Sequence, residues 1–137
     1  MALRVVVTGG AGFIGSHLVD RLLAEGCEVV VLDNFSTGRK ENLAHIPGDA
    51  RLKVVKVDLA DSGSLQEYLQ GAQWLFHLAA LADIVPSIVH PLTYYRANVD
   101  GTVNLLEAAR SAGIQRLVYA ASSSCYGIPD EVPTPET

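Results

Sequence analysis

The chain has 137 residues, a length that corresponds to about one domain and can bury a sizeable core. Although 49% of the residues are apolar, no run reaches the roughly 18 to 20 consecutive apolar residues of a membrane span, and the start lacks the regions of a signal peptide. The net charge is −5 with scattered basic residues, and the two cysteines show neither metal-ligand nor disulfide spacing, so we expect a cytoplasmic protein that binds no nucleic acid, membrane or metal.

The first predicted elements are a strand near 3–8 and a helix near 13–25. The strand is a continuous β-branched run, which is typical of a strand buried on both faces. The helix carries an apolar stripe with a spacing of three to four residues. Its members are Ile14, Leu18, Val19, Leu22 and Leu23.

Three later segments each run from a helix end through a glycine into an apolar strand: "LLAEGCEVVVLD", "YLQGAQWLFHLAA" and "ARSAGIQRLVYAA". Glycine just past a helix is the usual left-handed cap, so the three segments indicate repeated βα units. We predict strands near 28–33, 52–57, 73–78 and 115–121, helices near 62–70 and 92–112, and a loop with about one helical turn at 34–51. The predicted fold is α/β, with a doubly wound parallel sheet and helices on both faces.

The turn between the first strand and helix, "GGAGFIG", fits both G-x-G-x-x-G and G-x-x-G-x-x-G. In such a turn the first glycine allows the tight bend, and Gly12 lets a pyrophosphate approach the backbone. Gly15 then lets the helix pack close to the strand. The amide hydrogens and dipole of the helix N-terminus favour the phosphate charge. This pattern predicts a Rossmann-type dinucleotide site.

Asp33 ends the second strand, eighteen residues past Gly15, where a carboxylate can accept both hydroxyls of an adenosine ribose. The same carboxylate repels a 2′-phosphate, which predicts NAD rather than NADP, although the nearby Arg39 keeps NADP open. The alternative is a tightly packed turn with a solvated Asp33.

Six blocks of the chain occur in an order and spacing that resemble the extended short-chain dehydrogenase/reductases. They are "TGGAGFIGSHL", "VVLDNFSTG", "VDLAD", "FHLAA", "ANVDGTVNLLEAA" and "YAASSSCYG", and together they cover nearly the whole chain. Within these enzymes the chain is similar to nucleotide-sugar epimerases, close to the UDP-glucose and UDP-N-acetylglucosamine 4-epimerases.

The resemblance implies an NAD site formed by the glycine turn and by the segments that follow the second, third and fourth strands. Its implied residues are Gly9, Gly12, Phe13 and Ile14 along the pyrophosphate with Gly15 in the same turn, Asp33 and Asn34 on the ribose with Ser36 and Gly38 nearby, Asp58 and Leu59 beside the adenine, and Leu78, Ala79 and Ala80 near the nicotinamide. In the long helix, Asn98 is either an exposed polar residue or, as the resemblance implies, a buried group that supports this site.

Three serines follow the fifth strand, at the edge of the sheet where open α/β folds bind ligands. In the resembling enzymes, the serine four positions before the tyrosine of "YG" hydrogen-bonds the reacting sugar hydroxyl. That residue is Ser122, and Ser123 and Ser124 are implied substrate contacts. Related dehydratases carry an acidic residue in this block, which Ser123, Ser124 and Cys125 do not supply, so the block favours epimerisation. The alternative is a serine-rich turn without a catalytic role.

The resembling enzymes also use a tyrosine four residues before a lysine, and no tyrosine of this chain has a lysine at that spacing. We therefore expect residues 1–137 to be an incomplete NAD-binding domain, truncated before a C-terminal substrate domain and inactive on its own. The implied parent reaction is reversible C4 inversion of a UDP-hexose through a 4-keto intermediate, with a homodimer as a further expectation. The open alternatives are a dehydratase, decarboxylase or reductase of the same family, and a non-catalytic NAD-binding module.

Overall fold

The computed structural model describes residues 2–46, 48–61, 63, 65–128, 131–133 and 135, apart from the side chains of Ser123 and Ser124. The described residues form five strands: β1 (Arg4–Thr8), β2 (Glu28–Asp33), β3 (Leu52–Lys56), β4 (Trp74–His77) and β5 (Arg116–Tyr119). They make one parallel sheet in the order β3-β2-β1-β4-β5. This order reverses between β1 and β4, which confirms the predicted Rossmann-type fold.

The helices occupy the connections between these strands. They are α1 (Phe13–Ala24), a 3₁₀ helix (Lys40–Leu43), α2 (Leu65–Leu69), α3 (Ile84–Val89), α4 (Pro91–Tyr95), a π segment (Arg96–Asp100), α5 (Gly101–Ala112) and a second 3₁₀ helix (Ser123–Tyr126). The three predicted glycine caps are confirmed, because Gly26, Gly71 and Gly113 have φ values of +80°, +72° and +73°. Pro91 is in the first turn of α4, where its missing N–H costs no helical hydrogen bond.

Three predicted elements need correction. The helix predicted at 92–112 is helical from Pro91 to Ala112, but a π segment interrupts it. The helix α3 was not predicted, because its sequence "IVPSIV" contains a proline; Pro86 lies in the first turn, where a missing N–H costs no helical hydrogen bond. The strand β5 ends two residues early, and the predicted helix 62–70 begins at Leu65 among the described residues.

Neighbouring residues of a strand point to opposite faces of the sheet, and at the centre of the sheet helices cover both faces. Val5 and Val7 pack with α1 on one face, and Val6 packs with α2 and α5 on the other. The three valines are fully buried. The helix residues in these two cores are Val19, Leu22 and Leu23 of α1, Leu65 and Leu69 of α2, and Leu105 and Ala109 of α5. Ile14, predicted on the apolar stripe of α1, is instead 68% exposed.

Within the described ranges, no helix is long and apolar enough to cross a membrane. The same residues contain no group of three or more histidine, cysteine, aspartate or glutamate side chains that could hold a metal ion. Cys27 and Cys125 are both free thiols.

Candidate functional site

A cleft opens at the carboxyl edge of the sheet, where the strand order reverses between β1 and β4. Parallel α/β sheets bind ligands at this position. The predicted site residues that line it are Gly9, Gly12, Asp33, Asn34, Ser36, Gly38, Asp58, Leu59, Leu78, Ala79 and Ala80. Five lining residues were not predicted: Leu32, Thr37, Val57, Leu81 and Ala97.

The glycine turn forms one wall of this cleft and packs too tightly for side chains. Gly9 has a φ of +68°, and a Cβ atom there would lie 2.8 Å from the backbone nitrogen of Ala79. A Cβ atom on Gly15 would overlap the Gly9 carbonyl oxygen and lie 2.7 Å from the Cα of Gly10. Gly15 therefore lies beneath the turn and lets α1 approach it, while Gly12 faces the cleft.

The N-terminus of α1 points its positive dipole end toward the glycine turn. Gly12 caps this twelve-residue helix without a side-chain hydrogen bond, and the first turn contains no acidic residue. The helix therefore places no carboxylate of its own first turn at this end, which suits a phosphate group. Phe13 and Ile14 are 79% and 68% exposed in this turn and do not line the cleft.

The carboxylate of Asp33 is buried and joins the glycine turn to the loop after β2. One oxygen, Oδ2, accepts the backbone N–H of Ala11 at 2.9 Å, and Oδ1 accepts that of Phe35 at 2.8 Å. A Cβ atom on Gly38 would lie 2.8 Å from Oδ2, so a glycine is needed where this loop passes the carboxylate. Each oxygen keeps a second lone pair, and the residue lines the cleft.

The ends of β2 and β3 are connected by a second polar contact. The Asn34 side-chain amide donates to Oδ2 of Asp58 at 3.3 Å, and Asp58 Oδ1 accepts the backbone N–H of Ala60 at 2.9 Å. Asn34 Oδ1 also accepts the backbone N–H of Ser36 at 2.9 Å. These contacts shape the part of the cleft beside Leu59.

The long helix fixes two loops of the cleft through asparagine side chains. Asn98, in the π segment, accepts the Leu81 N–H and donates to the Leu81 carbonyl, both at 2.9 Å. The Asn98 side chain is half-buried and holds Leu81, which lines the cleft, whereas its role beside a cofactor stays a prediction. Asn104 donates to the carbonyls of Leu59 and Ala60 at 3.2 Å. Sequence reasoning missed Asn104, and its only signal was a polar residue on the mostly apolar face of α5.

Arg39, which kept NADP open in the sequence analysis, contributes its backbone here. Its N–H donates to the Ala11 carbonyl at 3.0 Å, and the Asn42 side chain donates to the same oxygen at 2.8 Å. Within the described residues, the Arg39 guanidinium forms no ion pair. The glycine turn is thus fixed at Ala11 through both its backbone N–H and its carbonyl.

The serine block lies beyond β5, on the same edge of the sheet as the glycine turn. Ser122 is exposed and does not line the cleft, and its carbonyl accepts the Cys125 N–H at 3.3 Å. The Ala120 N–H donates to the His77 carbonyl at 3.1 Å, which extends the pairing of β5 with β4 toward this block. The predicted side-chain contacts of Ser123 and Ser124 lie outside the described part of the structure.

Comparisons with known proteins show which proteins the chain is similar to. The model of the NAD dependent epimerase/dehydratase family matches residues 5–137. The chain is 46% identical to UDP-glucose 4-epimerase of Mycolicibacterium smegmatis over 98% of this chain and 44% of that protein. It is 43% identical to UDP-glucuronic acid decarboxylase 1 of Arabidopsis thaliana over 98% of this chain and 30% of that protein.

A solved structure with the same fold carries the predicted cofactor. The dTDP-glucose 4,6-dehydratase of Streptomyces venezuelae, solved with NAD bound, superposes with a TM-score of 0.88 at 40% identity. The match covers 94% of this chain and 42% of that one. The chain therefore spans less than half the length of each of these three relatives.

Proposed function

The chain belongs to the NAD dependent epimerase/dehydratase family, and on this premise we propose that its cleft binds NAD and that the complete protein inverts C4 of a UDP-hexose. NAD is the family's cofactor, in agreement with the sequence analysis. The family also includes decarboxylases and dehydratases, so the reaction is the finer part of the proposal.

The buried carboxylate of Asp33 is the observation that best supports NAD binding. It lines the cleft beside the glycine turn and is fixed by two backbone N–H groups, so its remaining lone pairs have a defined direction. A ribose diol donates two hydroxyl protons, which such a carboxylate can accept. A 2′-phosphate would bring a second negative charge against it, so the same geometry favours NAD over NADP.

The other predicted residues fit the remaining parts of the dinucleotide. The turn around Gly12 and the N-terminus of α1, whose first turn contains no acidic residue, suit the pyrophosphate. Asp58 and Leu59 would flank the adenine, and Leu78, Ala79 and Ala80 would line the nicotinamide half. When bound, NAD supplies the reversible oxidation of the sugar C4 alcohol to a ketone.

The chain's own contribution to this reaction is to bind and orient. The cleft residues would hold the cofactor against the edge of the sheet on which Ser122 lies. Ser122 would hydrogen-bond the reacting hydroxyl as its proton leaves. Since no tyrosine of this chain precedes a lysine by four residues, we propose that residues 1–137 supply the cofactor half of a longer protein, whose remainder supplies the base.

The serine block favours epimerisation over dehydration. Elimination of water from a sugar requires a general acid and base besides the redox step. Ser123, Ser124 and Cys125 carry no carboxylate for that purpose. Decarboxylation of a UDP-hexuronate stays the second candidate, because the 43% identity to a UDP-glucuronic acid decarboxylase covers 98% of this chain.

The experiment is to incubate the purified intact protein with NAD and, separately, UDP-glucose, UDP-galactose and UDP-glucuronate, and to analyse the products by anion-exchange chromatography. Interconversion of UDP-glucose and UDP-galactose without release of carbon dioxide is expected. Release of carbon dioxide from UDP-glucuronate, with no interconversion, would replace the epimerase with the decarboxylase. The Asp33→Ser variant should lose activity at limiting NAD, whereas Asp61→Ser, an exposed aspartate outside the cleft, should keep it.

A further inference from the structure

His77, the last residue of β4, has a buried polar side chain that takes no part in the proposed reaction. Only 2% of its surface is exposed, and its ring stacks on Tyr119 with centroids 5.3 Å apart. Each ring nitrogen faces one threonine hydroxyl: Nδ1 lies 2.7 Å from Thr8 Oγ1, and Nε2 lies 2.9 Å from Thr102 Oγ1. The hydrogen bonds at the two ring nitrogens together permit only one tautomer of this histidine.

The Thr102 side of the ring fixes the direction of the hydrogen bonds. The Thr102 hydroxyl donates its only proton to the Asn98 carbonyl at 2.6 Å. Toward His77 it can therefore only accept, so Nε2 must carry a hydrogen.

The Thr8 side agrees with this assignment. Thr8 Oγ1 accepts the backbone N–H groups of Leu78 at 3.2 Å and Ala79 at 3.3 Å. Its own proton is then directed to Nδ1 of His77, which must be unprotonated. An imidazolium would present a donor to the Thr8 proton, and burial lowers the pKa of His77, which also favours the neutral ring.

This chain of hydrogen bonds begins and ends at the same wall of the cleft. Thr8 binds the backbone of Leu78 and Ala79, and Asn98, at the other end, binds that of Leu81. Segment 78–81 lines the cleft and contacts the glycine turn at Gly9. We propose that His77, as the neutral Nε2–H tautomer, is a positioning residue that fixes segment 78–81 for the cofactor through Thr8 and Thr102.

The inference rests on the proposed NAD site, so its test uses one readout with the cofactor and one without it. Thr102→Val keeps the shape of the side chain but removes the hydroxyl, whereas Thr102→Ser keeps the hydroxyl and removes only the methyl group. In the intact protein, Thr102→Val should raise the Kd for NAD roughly tenfold and speed amide hydrogen exchange at Leu78, Ala79 and Leu81. Thr102→Ser should match the parent in both, and Thr93→Val, an exposed position on α4, is the matched control.

The two readouts separate the possible failures. If Thr102→Val exchanges and binds NAD as the parent does, the positioning role is wrong although the NAD site stands. If the parent binds no NAD but Thr102→Val still speeds exchange only in segment 78–81, the proposed function is wrong and the positioning role stands. A uniform loss of exchange protection and melting temperature, with Kd unchanged below the melting range, would mean a general structural role and overturn the inference.

Imidazole ¹⁵N spectra of the parent provide a test that needs no stable variant in the network. A protonated Nε2 and unprotonated Nδ1 at neutral pH are expected for His77, whose signals are identified by through-space contacts of its ring protons to the Tyr119 ring that stacks on it. The opposite tautomer, or an imidazolium, would overturn the chain of hydrogen bonds.

Discussion

The ends of β2 and β5 lie on the same edge of one sheet, yet the chain builds them very differently. Beside β2, Asp33 is 7% exposed, both of its oxygens accept backbone N–H groups, and the neighbouring β1 valines are fully buried. Beyond β5, Ser122 is exposed, and Val118 within the strand is 51% exposed. Among the described residues, the β2 end is packed and is called the finished end below, whereas the β5 end is exposed and is called the open end.

The two ends of the sheet therefore constrain a ligand to different degrees. At the β2 end, close backbone approach and a fixed carboxylate define by themselves what kind of group can enter. At the β5 end, the position at the carboxyl edge is all that the fold supplies, and the role of Ser122 depends on the resemblance of its motif. Substitutions at the β2 end therefore test the geometry of the site, and substitutions at the β5 end test the resemblance of the serine motif.

The largest expected effect is at the open end. In the intact protein, Ser122→Ala should lower kcat roughly a hundredfold, about 3 kcal/mol in activation free energy. The variant lacks a hydrogen-bond donor that acts on developing charge chiefly in the transition state. The Kd for NAD should be unchanged. Steady-state and NAD-binding measurements would check this, with Ser111→Ala on α5 as the control.

Two outcomes would contradict the assignment of Ser122. If Ser122→Ala kept kcat within a few-fold of the parent while Ser124→Ala abolished turnover, the wrong serine would have been chosen. If neither change mattered, the serine block would be structural and the epimerase proposal would lose its local support.

The next effect is at the finished end. Gly15→Ala should lower the free energy of unfolding by about 2 kcal/mol, because its Cβ would overlap the Gly9 carbonyl and the tightly packed turn would have to move. Denaturant unfolding would measure it, with Gly63→Ala as the control, since a Cβ there meets nothing within 4 Å. Equal stability of the two variants would show that the turn is more adaptable than its contacts indicate.

The sequence predicted those parts of the molecule that depend on local pattern. The five strands, the glycine caps and the turn up to Gly15 follow from apolar runs and glycine spacing, and the structure confirms them. The π segment has no periodic signature in the sequence, and within it the Asn98 side chain binds the backbone of Leu81, a contact that no sequence spacing indicates. Similarly, Thr37 and Ala97 line the cleft only because separate elements approach each other there.

A third prediction sharpens the role of the Asp33 carboxylate. The Asp33→Ser variant should narrow the preference for NAD over NADP roughly tenfold, because the negative charge facing a 2′-phosphate is removed. The variant should also lose stability, since the Ala11 and Phe35 N–H groups lose their shared acceptor. Titration of both nucleotides measures the ratio, and Asp61→Ser should leave it unchanged. Equal or tighter NADP binding by the parent would contradict the assignment.

The smallest expected effect concerns the pH dependence of stability, and it tests the neutral ring of His77. Burial lowers the pKa of His77 in the folded protein below its ordinary value of 6.5. Below pH 6.5 the unfolded chain therefore takes up a proton that the folded protein does not, and the free energy of unfolding falls as the pH falls, by at most about 1.4 kcal/mol per pH unit. Above pH 6.5 this contribution is fully present.

The His77→Gln variant lacks this contribution of the histidine. The difference in unfolding free energy between parent and variant should therefore shrink from pH 7 to pH 5, and titrations of other groups cancel in that difference. A difference that stays constant over this range would mean that the folded protein accepts a proton on His77 as readily as the unfolded chain, which is incompatible with a Thr8 hydroxyl donating to Nδ1.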